Sequence, residues 1–454
     1  MGVRTVLTNV PSALATLILA LRQRLADESF LDRHRLRPQD FTRQRKLPFL
    51  FVVLFILQKT AKSVQRHLHD FLEHLTDGRA WEGATPGAFT LARAKLKHTA
   101  FIELSRECVL PAIYDNPASP PRLWRGHRLL GMDSSILRLP NNPELRAAFT
   151  PVDVQCQLGP TGVGMAQARI SVLYDLLNRA GLHARLEPSA LGEVELAIQQ
   201  LPQAWAGDVV ISDRGFAGYH YLAAHQRQGL HFIVRCSKGS FAAAQELFRL
   251  DQAGLSRVVT LQAPADEQAW MKRAGWPLEL TVRFVSVRLS TGELEVLVTS
   301  LLDEELYPTE EFLEVYGRRW NHETFYLMLK SRLDLENFSG ETAEAIRQDF
   351  YAAVLLCNLE SILTQPAQKE LEARGLENKP QHPQQVNRAN SYHALKGRLF
   401  ELLESSRAPE EVLLELQKMF LATPVSVRQR GTKRKKHSPD RSYHYQKRVK
   451  KMVF

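Results

Sequence analysis

The stretch YGRRWNHETFYLMLK, residues 316–330, is the part of this 454-residue sequence that most restricts its fold. Its pattern predicts a helix in which Tyr316, Arg319, Glu323 and Lys330 are spaced i, i+3, i+7 and i+14. At about 100° per residue these positions fall within an arc of roughly 60°, so one helix face carries an aromatic hydroxyl, two cations and a carboxylate. The alternative interpretation is an exposed face of mixed charge, which helical salt-bridge pairs commonly produce.

Two aspartates lie upstream of this helix, each at the end of a short apolar run that predicts a strand. Asp133 ends the run RLLGMD, and Asp213 ends the compact strand DVVISD. From residue 127 to residue 236 the predicted order is three strands, helix, strand, helix, strand, which indicates a mixed α/β sheet. Ligand sites gather at the carboxyl ends of strands in such sheets, so we expect the two aspartates to lie together.

Carboxylates from two strand ends and a helix can converge as hard oxygen ligands. Oxygen-only ligation by few protein groups suits Mg²⁺ or Mn²⁺, which retain waters and bind substrate phosphate. Asp133, Asp213 and Glu323 are therefore candidate metal ligands. Three acids held so close would repel one another, and we expect the site to be incomplete without metal.

A helical region precedes the predicted sheet. Over residues 1–110, Leu14, Leu17, Leu21 and Leu25 follow the spacing of one buried helical stripe.

A further helix is predicted to begin at Thr85-Pro86, because Thr suits the N-cap and Pro the first helical position. This helix displays Arg93, Lys95 and Lys97. The cations fit either a DNA-contacting domain or a solvated helical face, and the sequence leaves both interpretations open.

The chain beyond residue 236 changes character. Two β-like runs between 237 and 300, joined by a Ser-Thr-Gly turn, predict a strand-rich insertion. The predicted elements that follow are a helix from 308 to about 333, a helix from about 341 to 363, a polar loop over 366–390 and a last helix over about 410–420.

The positive charge of this chain is concentrated at its C-terminal end. The formal net charge is +10, and residues 425–454 hold eleven Lys or Arg against one acid, Asp440, which equals the whole net charge. Tyr443, His444 and Tyr445 lie among these bases. A basic segment with aromatics favours nucleic acid as a partner, and a solubilising tail is the alternative.

Other classes of protein are disfavoured. The four cysteines contain no C-x-x-C pair, which is typical of free thiols in a reducing cytosol rather than of disulfides or a zinc site. The most apolar segment, Leu47 to Leu57, is too short to span a bilayer, and the N-terminus lacks the pattern of a signal peptide. We therefore expect a cytoplasmic protein without a membrane partner.

Taken together, these motifs resemble bacterial insertion-sequence transposases of the DDE class, whose helix motif is Tyr-x2-Arg-x3-Glu-x6-Lys. Every defining position of that motif is matched within residues 316–330. The stretches GMDSS around Asp133 and SDRGF around Asp213 resemble the first and second Asp motifs of the family, and DFTRQRKLPF at 40–49 resembles its N-terminal region.

The resemblance implies a ribonuclease H-like catalytic domain with a β-rich insertion between the second Asp and the Glu. It implies Asp133, Asp213 and Glu323 as the metal ligands. It also implies that Tyr316, Arg319 and Lys330 grip phosphates of the transposon end, and that the protein acts as a homodimer on paired DNA ends. In some members an aromatic of the insertion stacks on a flipped base; the candidates, for which core packing is the alternative, are Trp270 and Trp276.

We therefore predict a DNA transposase that cleaves at terminal inverted repeats and joins the freed ends to target DNA. A nuclease of the same fold without strand transfer, and a non-catalytic DNA-binding relic, are the alternatives. The predicted parts are a helical N-terminal DNA-binding domain (1–120), the catalytic domain (121–365) with its β-rich insertion (237–305), a C-terminal helical region (366–424) and the basic tail (425–454).

Overall fold

The computed structural model describes residues 12–42, 47–59, 64–75, 84–117, 119–150, 165–378 and 382–427. The chain divides into two compact units. The sheet unit consists of residues 121–137 and 168–327, and the helical unit consists of residues 1–120, 138–167 and 328–454. Except for its first three residues, the basic tail at 425–454 lies outside the described residues.

In the described part of the chain, the longer strands lie between residues 129 and 299, and helices predominate on either side of them. The helices are α1 (Ser12–Ala26), α2 (Glu28–His34), α3 (Phe49–Gln58), α4 (Val64–Leu75), α5 (Pro86–Arg93), α6 (Thr99–Leu104), α7 (Leu110–Tyr114), α8 (Pro143–Phe149), α9 (Glu193–Gln200), α10 (Tyr219–Arg227), α11 (Ala242–Leu250), α12 (Gln268–Arg273), α13 (Glu311–Gly317), α14 (Trp320–Leu327), α15 (Ala343–Asn378), α16 (Arg388–Leu403) and α17 (Pro409–Ala422). The strands are β1 (Leu129–Arg138), β2 (Gln167–Asp175), β3 (Ala180–Pro188), β4 (Val209–Ser212), β5 (His231–Arg235), β6 (Ser256–Gln262), β7 (Glu279–Arg288), β8 (Leu294–Thr299), β9 (Gln384–Gln385) and β10 (Val425–Ser426).

Eight strands form one mixed sheet in the order β3-β2-β1-β4-β5-β8-β7-β6. β1, β4 and β5 are parallel to one another. β2 pairs antiparallel with β3, and the pairs β5–β8, β8–β7 and β7–β6 are also antiparallel. The order β3-β2-β1-β4-β5 is that of a ribonuclease H-like sheet, which confirms the predicted fold class. The β-rich region predicted for 237–305 supplies β6, β7 and β8, and these strands extend the same sheet through β8.

The sheet unit has an apolar core on the predicted strands. The buried runs of β4 and β5 pack with α10 and with the inward side chains of β7 and β8. β4 is buried along its whole length, as its unbroken apolar run predicts for a strand covered on both faces.

The helical unit confirms the helical character predicted for residues 1–110. α1 buries its leucine stripe, and Thr85 caps α5 by accepting a hydrogen bond from the backbone N–H of Ala88 at 3.1 Å. α15 packs against α3, α6 and α17 within this unit. None of the helices in the described part of the chain is long and apolar enough to cross a membrane.

Three predicted element boundaries are wrong. Asp133 lies inside β1 rather than at its end, because the strand continues to Arg138. The helix predicted from 308 to 333 is interrupted: Arg319 and His322 donate their backbone N–H groups in i→i+3 bonds, which tighten the turn between α13 and α14, and a π-helical turn follows at 328–332.

The loop predicted over 366–390 is also wrong in its first half. α15 continues through Pro366 to Asn378, because Ala367 and Leu371 bury an apolar stripe beyond the proline. The sequence prediction also lacked α16, which begins at Arg388 with Asn387 as its side-chain cap. The functional roles given to 1–120, 121–365 and 366–424 stay predictions.

A buried ion pair stabilises the helical unit. Asp349 on α15 is 2% exposed and accepts hydrogen bonds from Arg93 Nη2 at 3.0 Å and from the Ser339 hydroxyl at 2.7 Å. Lys59 Nζ lies 3.5 Å from the same carboxylate. Burial alone would raise the pKa of Asp349, but the charges of Lys59 and Arg93 hold it below its ordinary value.

We expect Asp349→Asn to lower the free energy of unfolding by about 3–5 kcal/mol, because it leaves two buried cations without their counter-ion. The measurement is urea unfolding of the full chain followed by circular dichroism. Asp32→Asn is the control: the Asp32 side chain is exposed and its ion pair within the described residues is with Arg35, so its removal should cost less than about 1 kcal/mol. Equal shifts of the two midpoints would contradict a stabilising role for the buried pair.

Candidate active site

The register between β1 and β4 brings the two predicted aspartates to one level of the sheet. Gly131 is the parallel partner of Ile211, and two residues further along each strand come Asp133 and Asp213. The pleat repeats every two residues, so side chains two positions beyond a paired position lie on the same face as that pair. The predicted proximity of the two aspartates is therefore a consequence of strand pairing, although only Asp213 follows a strand end.

Asp133 lies in a confined and negatively charged environment. Its Oδ1 accepts a hydrogen bond from the backbone N–H of Ser134 at 2.8 Å. Burial raises the pKa of Asp133, the Ser134 N–H and Arg319 lower it, and the carboxylates of Glu193 and Asp213 raise it; the net result is a pKa of about 6. This carboxyl group therefore lacks a full set of compensating positive charges.

Asp213 is held by several donors on one oxygen. Its Oδ1 accepts hydrogen bonds from the backbone N–H of Arg214 at 2.7 Å and from the Tyr316 hydroxyl at 3.4 Å, and it lies 2.9 Å from Arg235 Nε. Burial would raise the pKa of Asp213, but the Arg214 N–H and the guanidinium groups of Arg319 and Arg235 lower it below its ordinary value. Asp213 is therefore ionised over the working range of the site.

Glu323 is linked to the two aspartates through an arginine. Arg319 Nη1 lies 2.8 Å from Glu323 Oε1, and the Arg319 guanidinium carbon lies 5.6 Å from the Tyr316 ring and 5.3 Å from the Trp320 ring. Arg319 is 6% exposed, whereas the Glu323 side chain is 39% exposed. The aromatic rings thus pack against a guanidinium that pairs with Glu323 and acts electrostatically on Asp213.

Close packing of α14 on β1 fixes the distance of Glu323 from the sheet. His322 is fully buried and stacks between the rings of Tyr174 and Tyr326, at 5.5 Å and 4.8 Å. The Tyr326 hydroxyl donates to the carbonyl oxygen of Asp133 at 2.8 Å. A Cβ at Gly131 would lie 2.9 Å from His322 Nδ1, so only glycine permits this approach.

The donor set fits a divalent cation by its chemistry. Each of Asp133, Asp213 and Glu323 engages one carboxylate oxygen with a protein donor, and no described residue donates a hydrogen bond to the other oxygen. Within the described ranges, no three Asp, Glu, His or Cys side chains are already grouped to hold a metal ion.

Lys330 belongs to the helical unit rather than the sheet unit. It lies in the π-helical turn after α14, where burial lowers its pKa, Glu336 raises it and Arg138 lowers it. Its role with Tyr316 and Arg319 stays a prediction.

Two side chains near the aspartates were missed by the sequence analysis. Arg235 ends β5, the parallel neighbour of β4, and contacts Asp213 and Glu295. Glu193 begins α9 and accepts a hydrogen bond from the Ser134 hydroxyl at 2.9 Å. A search of all charged residues at strand ends and helix starts of the predicted sheet would have identified both.

The two tryptophans of the insertion pack with each other. Their ring centroids are 5.8 Å apart, and Trp270 stacks on His220 at 5.3 Å. Trp276 packs against the sheet core and lies under the Arg227 guanidinium at 4.8 Å, while Trp270 is 37% exposed. Contact of either ring with a DNA base stays a prediction.

A mixed sheet with an aspartate on one strand, a second aspartate directly after the neighbouring strand and a glutamate on a later helix is the arrangement expected of a DDE-type catalytic domain. Residues 124–359 match the sequence profile of the family described as "Transposase DDE domain", which is more than half of the 454 residues. The chain belongs to this family of transposases. It is therefore an enzyme that cleaves DNA and transfers DNA strands, in a family that generally uses a divalent metal ion.

Two known proteins are similar to this chain. The transposase InsG of insertion sequence element IS4, from Escherichia coli strain K12, is 26% identical over 328 residues, which cover 70% of each chain. A piggyBac transposase in a synaptic complex with hairpin DNA superimposes with a TM-score of 0.42 at 11% identity, covering 89% of this chain and 85% of that one.

The raised pKa of Asp133 predicts pH-dependent binding of a divalent ion. Only the ionised carboxylate is a metal ligand. The affinity for the ion should therefore reach its maximum above the folded pKa of about 6 and should fall about tenfold per pH unit below it. Calorimetric Mn²⁺ titrations of the full chain from about pH 5 to about pH 8 measure this dependence. Asp133→Asn should bind more weakly and lose this dependence; a constant wild-type affinity across that range would contradict the prediction.

Proposed function

We propose that this transposase cleaves DNA at the terminal inverted repeats of an insertion sequence and joins the freed 3′-hydroxyls to target DNA. Asp133, Asp213 and Glu323 would hold the metal, which we expect to be Mg²⁺ or Mn²⁺ because all the donors are carboxylate oxygens. The observation that carries the proposal is the β1–β4 register, in which Gly131 and Ile211 are partners and each stands two residues before one of the aspartates, together with the Arg319–Glu323 contact.

Asp133, Asp213 and Glu323 would hold divalent ions, whose chemistry when bound would be to activate the attacking hydroxyl and to stabilise the leaving oxygen of an in-line displacement. The residues of this chain supply the placement. Arg214 N–H, Arg235 and Tyr316 engage Asp213 Oδ1, which leaves its second oxygen toward the site. Tyr326 and Ser134 fix Asp133 in the same way from its backbone and from its Oδ1.

Phosphate contact is proposed for Tyr316, Arg319 and Lys330. Arg319 supports this role best: it is buried, yet its Nε donates to no acceptor among the described residues. An unused guanidinium donor beside a carboxylate cluster is suited to a phosphate oxygen, because arginine grips phosphates with two parallel hydrogen bonds.

The partners follow from the same proposal. The enzyme would act in the cytoplasm as a homodimer on paired DNA ends, with the N-terminal helices and the basic tail at 425–454 as further DNA contacts. The tail contacts would be independent of DNA sequence, because Lys and Arg bind backbone phosphates, which carry no base information.

Removing one metal ligand should abolish cleavage without abolishing DNA binding. Asp133→Asn, Asp213→Asn and Glu323→Gln each keep the side-chain shape, and each should reduce cleavage of an inverted-repeat duplex by at least about 10³-fold, because metal placement supplies most of the catalysis. Binding of the same duplex, measured by gel shift, should persist because removing negative charge does not weaken attraction to phosphate.

The matched control for Glu323 is Glu314→Gln, because Glu314 forms a similar i,i+4 pair with Arg318 but is 77% exposed. Near-normal cleavage by any of the three variants would remove that residue from the centre. Strand-transfer products on a plasmid target distinguish the transposase from a nuclease that only cuts.

Arg319→Ala should impair the complex with a pre-cleaved end more than capture of a long duplex. Losing a charge-assisted phosphate contact costs about 1.5–3 kcal/mol, which is roughly a 10- to 150-fold loss of affinity for the short end. Arg319→Lys should restore little, because lysine lacks the planar two-donor group. Arg318→Ala removes the adjacent, more exposed cation and serves as the control; normal binding of cleaved ends by Arg319→Ala would exclude the phosphate role.

A further inference from the structure

We propose that Glu193 is a fourth acidic residue of the metal centre and contributes its carboxylate to the divalent ion alongside Asp133. This inference rests on the proposed function, because it takes Asp133, Asp213 and Glu323 as the other ligands. Neither the helix motif at 316–330 nor the two Asp motifs contains this glutamate.

The position of Glu193 is set by the first helix after β3. α9 begins at Glu193, and the Glu193 Oε2 atom accepts a hydrogen bond from the Ser134 hydroxyl at 2.9 Å. Ser134 directly follows Asp133 on β1, and its backbone N–H binds Asp133 Oδ1 at 2.8 Å. One serine therefore contacts both carboxylates and holds them next to each other.

Glu193 also reaches the second Asp motif. A Cβ built at Gly215 would lie 3.0 Å from Glu193 Oε1, and Gly215 is two residues after Asp213. The missing side chain at Gly215 leaves the space that the glutamate occupies. The Glu193 carboxylate thus lies between the residues that follow the two aspartates, with one oxygen directed to each side.

The local charge balance favours a cation at this position. Asp213 and Glu323 each have a guanidinium nitrogen within 2.9 Å, whereas Arg169 Nη1 is 3.9 Å from Glu193 and donates its hydrogen bond to the Ser134 hydroxyl instead. Asp133 and Glu193 therefore form the least neutralised part of the acidic group, where a divalent ion gains most.

A purely structural role is the competing interpretation, in which Glu193 only attaches α9 to β1. Glu193→Gln distinguishes the two, because the amide oxygen still accepts from Ser134 while the charge is removed. Glu195→Gln is the matched control: it removes the same charge from the first turn of the same helix, at an exposed side chain that accepts a hydrogen bond from Gln199.

The experiment is calorimetric titration of the full chain with Mn²⁺ alone, without DNA, on wild type, both glutamate variants and Asp133→Asn. We expect Glu193→Gln to weaken Mn²⁺ binding roughly 10- to 100-fold, the range found when groups supporting a metal site are removed, and Glu195→Gln to leave it within about twofold. Gly215→Ala should also weaken binding, because its methyl group displaces the Glu193 carboxylate.

The outcomes separate this inference from the proposed function. Weak binding by Asp133→Asn together with wild-type affinity of Glu193→Gln would overturn the role of Glu193 and leave the three-carboxylate centre intact. Wild-type affinity of Asp133→Asn would overturn the centre itself. Equal weakening by the two glutamate variants would show a general charge effect and would also overturn the inference.

Discussion

The parallel pairing of β1 with β4 is the constraint on which the catalytic unit depends. The match of Gly131 with Ile211 places Asp133 level with Asp213, and a shift of one residue would turn one carboxylate to the opposite face of the sheet. Two half-buried acids side by side repel each other, so the fold must supply positive charge or protonation nearby. Much of the surrounding structure meets that electrostatic requirement.

Positive charge is distributed unequally between the two aspartates. Asp213 has Arg235 and Arg319 close by, which keep its pKa low, whereas burial and two carboxylate neighbours raise the pKa of Asp133 to about 6. Arg235 is itself held by Glu295 on β8, so the strands of the β-rich region take part in positioning the second aspartate. The extension of the sheet beyond β5 therefore has an electrostatic function as well as a packing function.

The sequence predicted the elements whose signals are local. The apolar run before Asp213, the leucine stripe of α1 and the Thr85-Pro86 start of α5 depend on neighbours a few residues away, and the structure has them. The interruption between α13 and α14 and the continuation of α15 through Pro366 depend on tertiary packing, which overrides local propensity. Glu193 was missed for the same reason, because its partner Ser134 is 59 positions away in the chain.

Gly131 has no reactive side chain, yet its identity is restricted as strongly as that of the acids it supports. It is the last residue of β1 before Asp133 that is paired with β4, and any side chain there would meet His322 and Leu176 at 2.9 Å. The helix that carries Glu323 would then have to rise from the sheet. During divergence of such enzymes, selection on catalysis should therefore act on this glycine almost as strongly as on the acids, although it never touches DNA or metal.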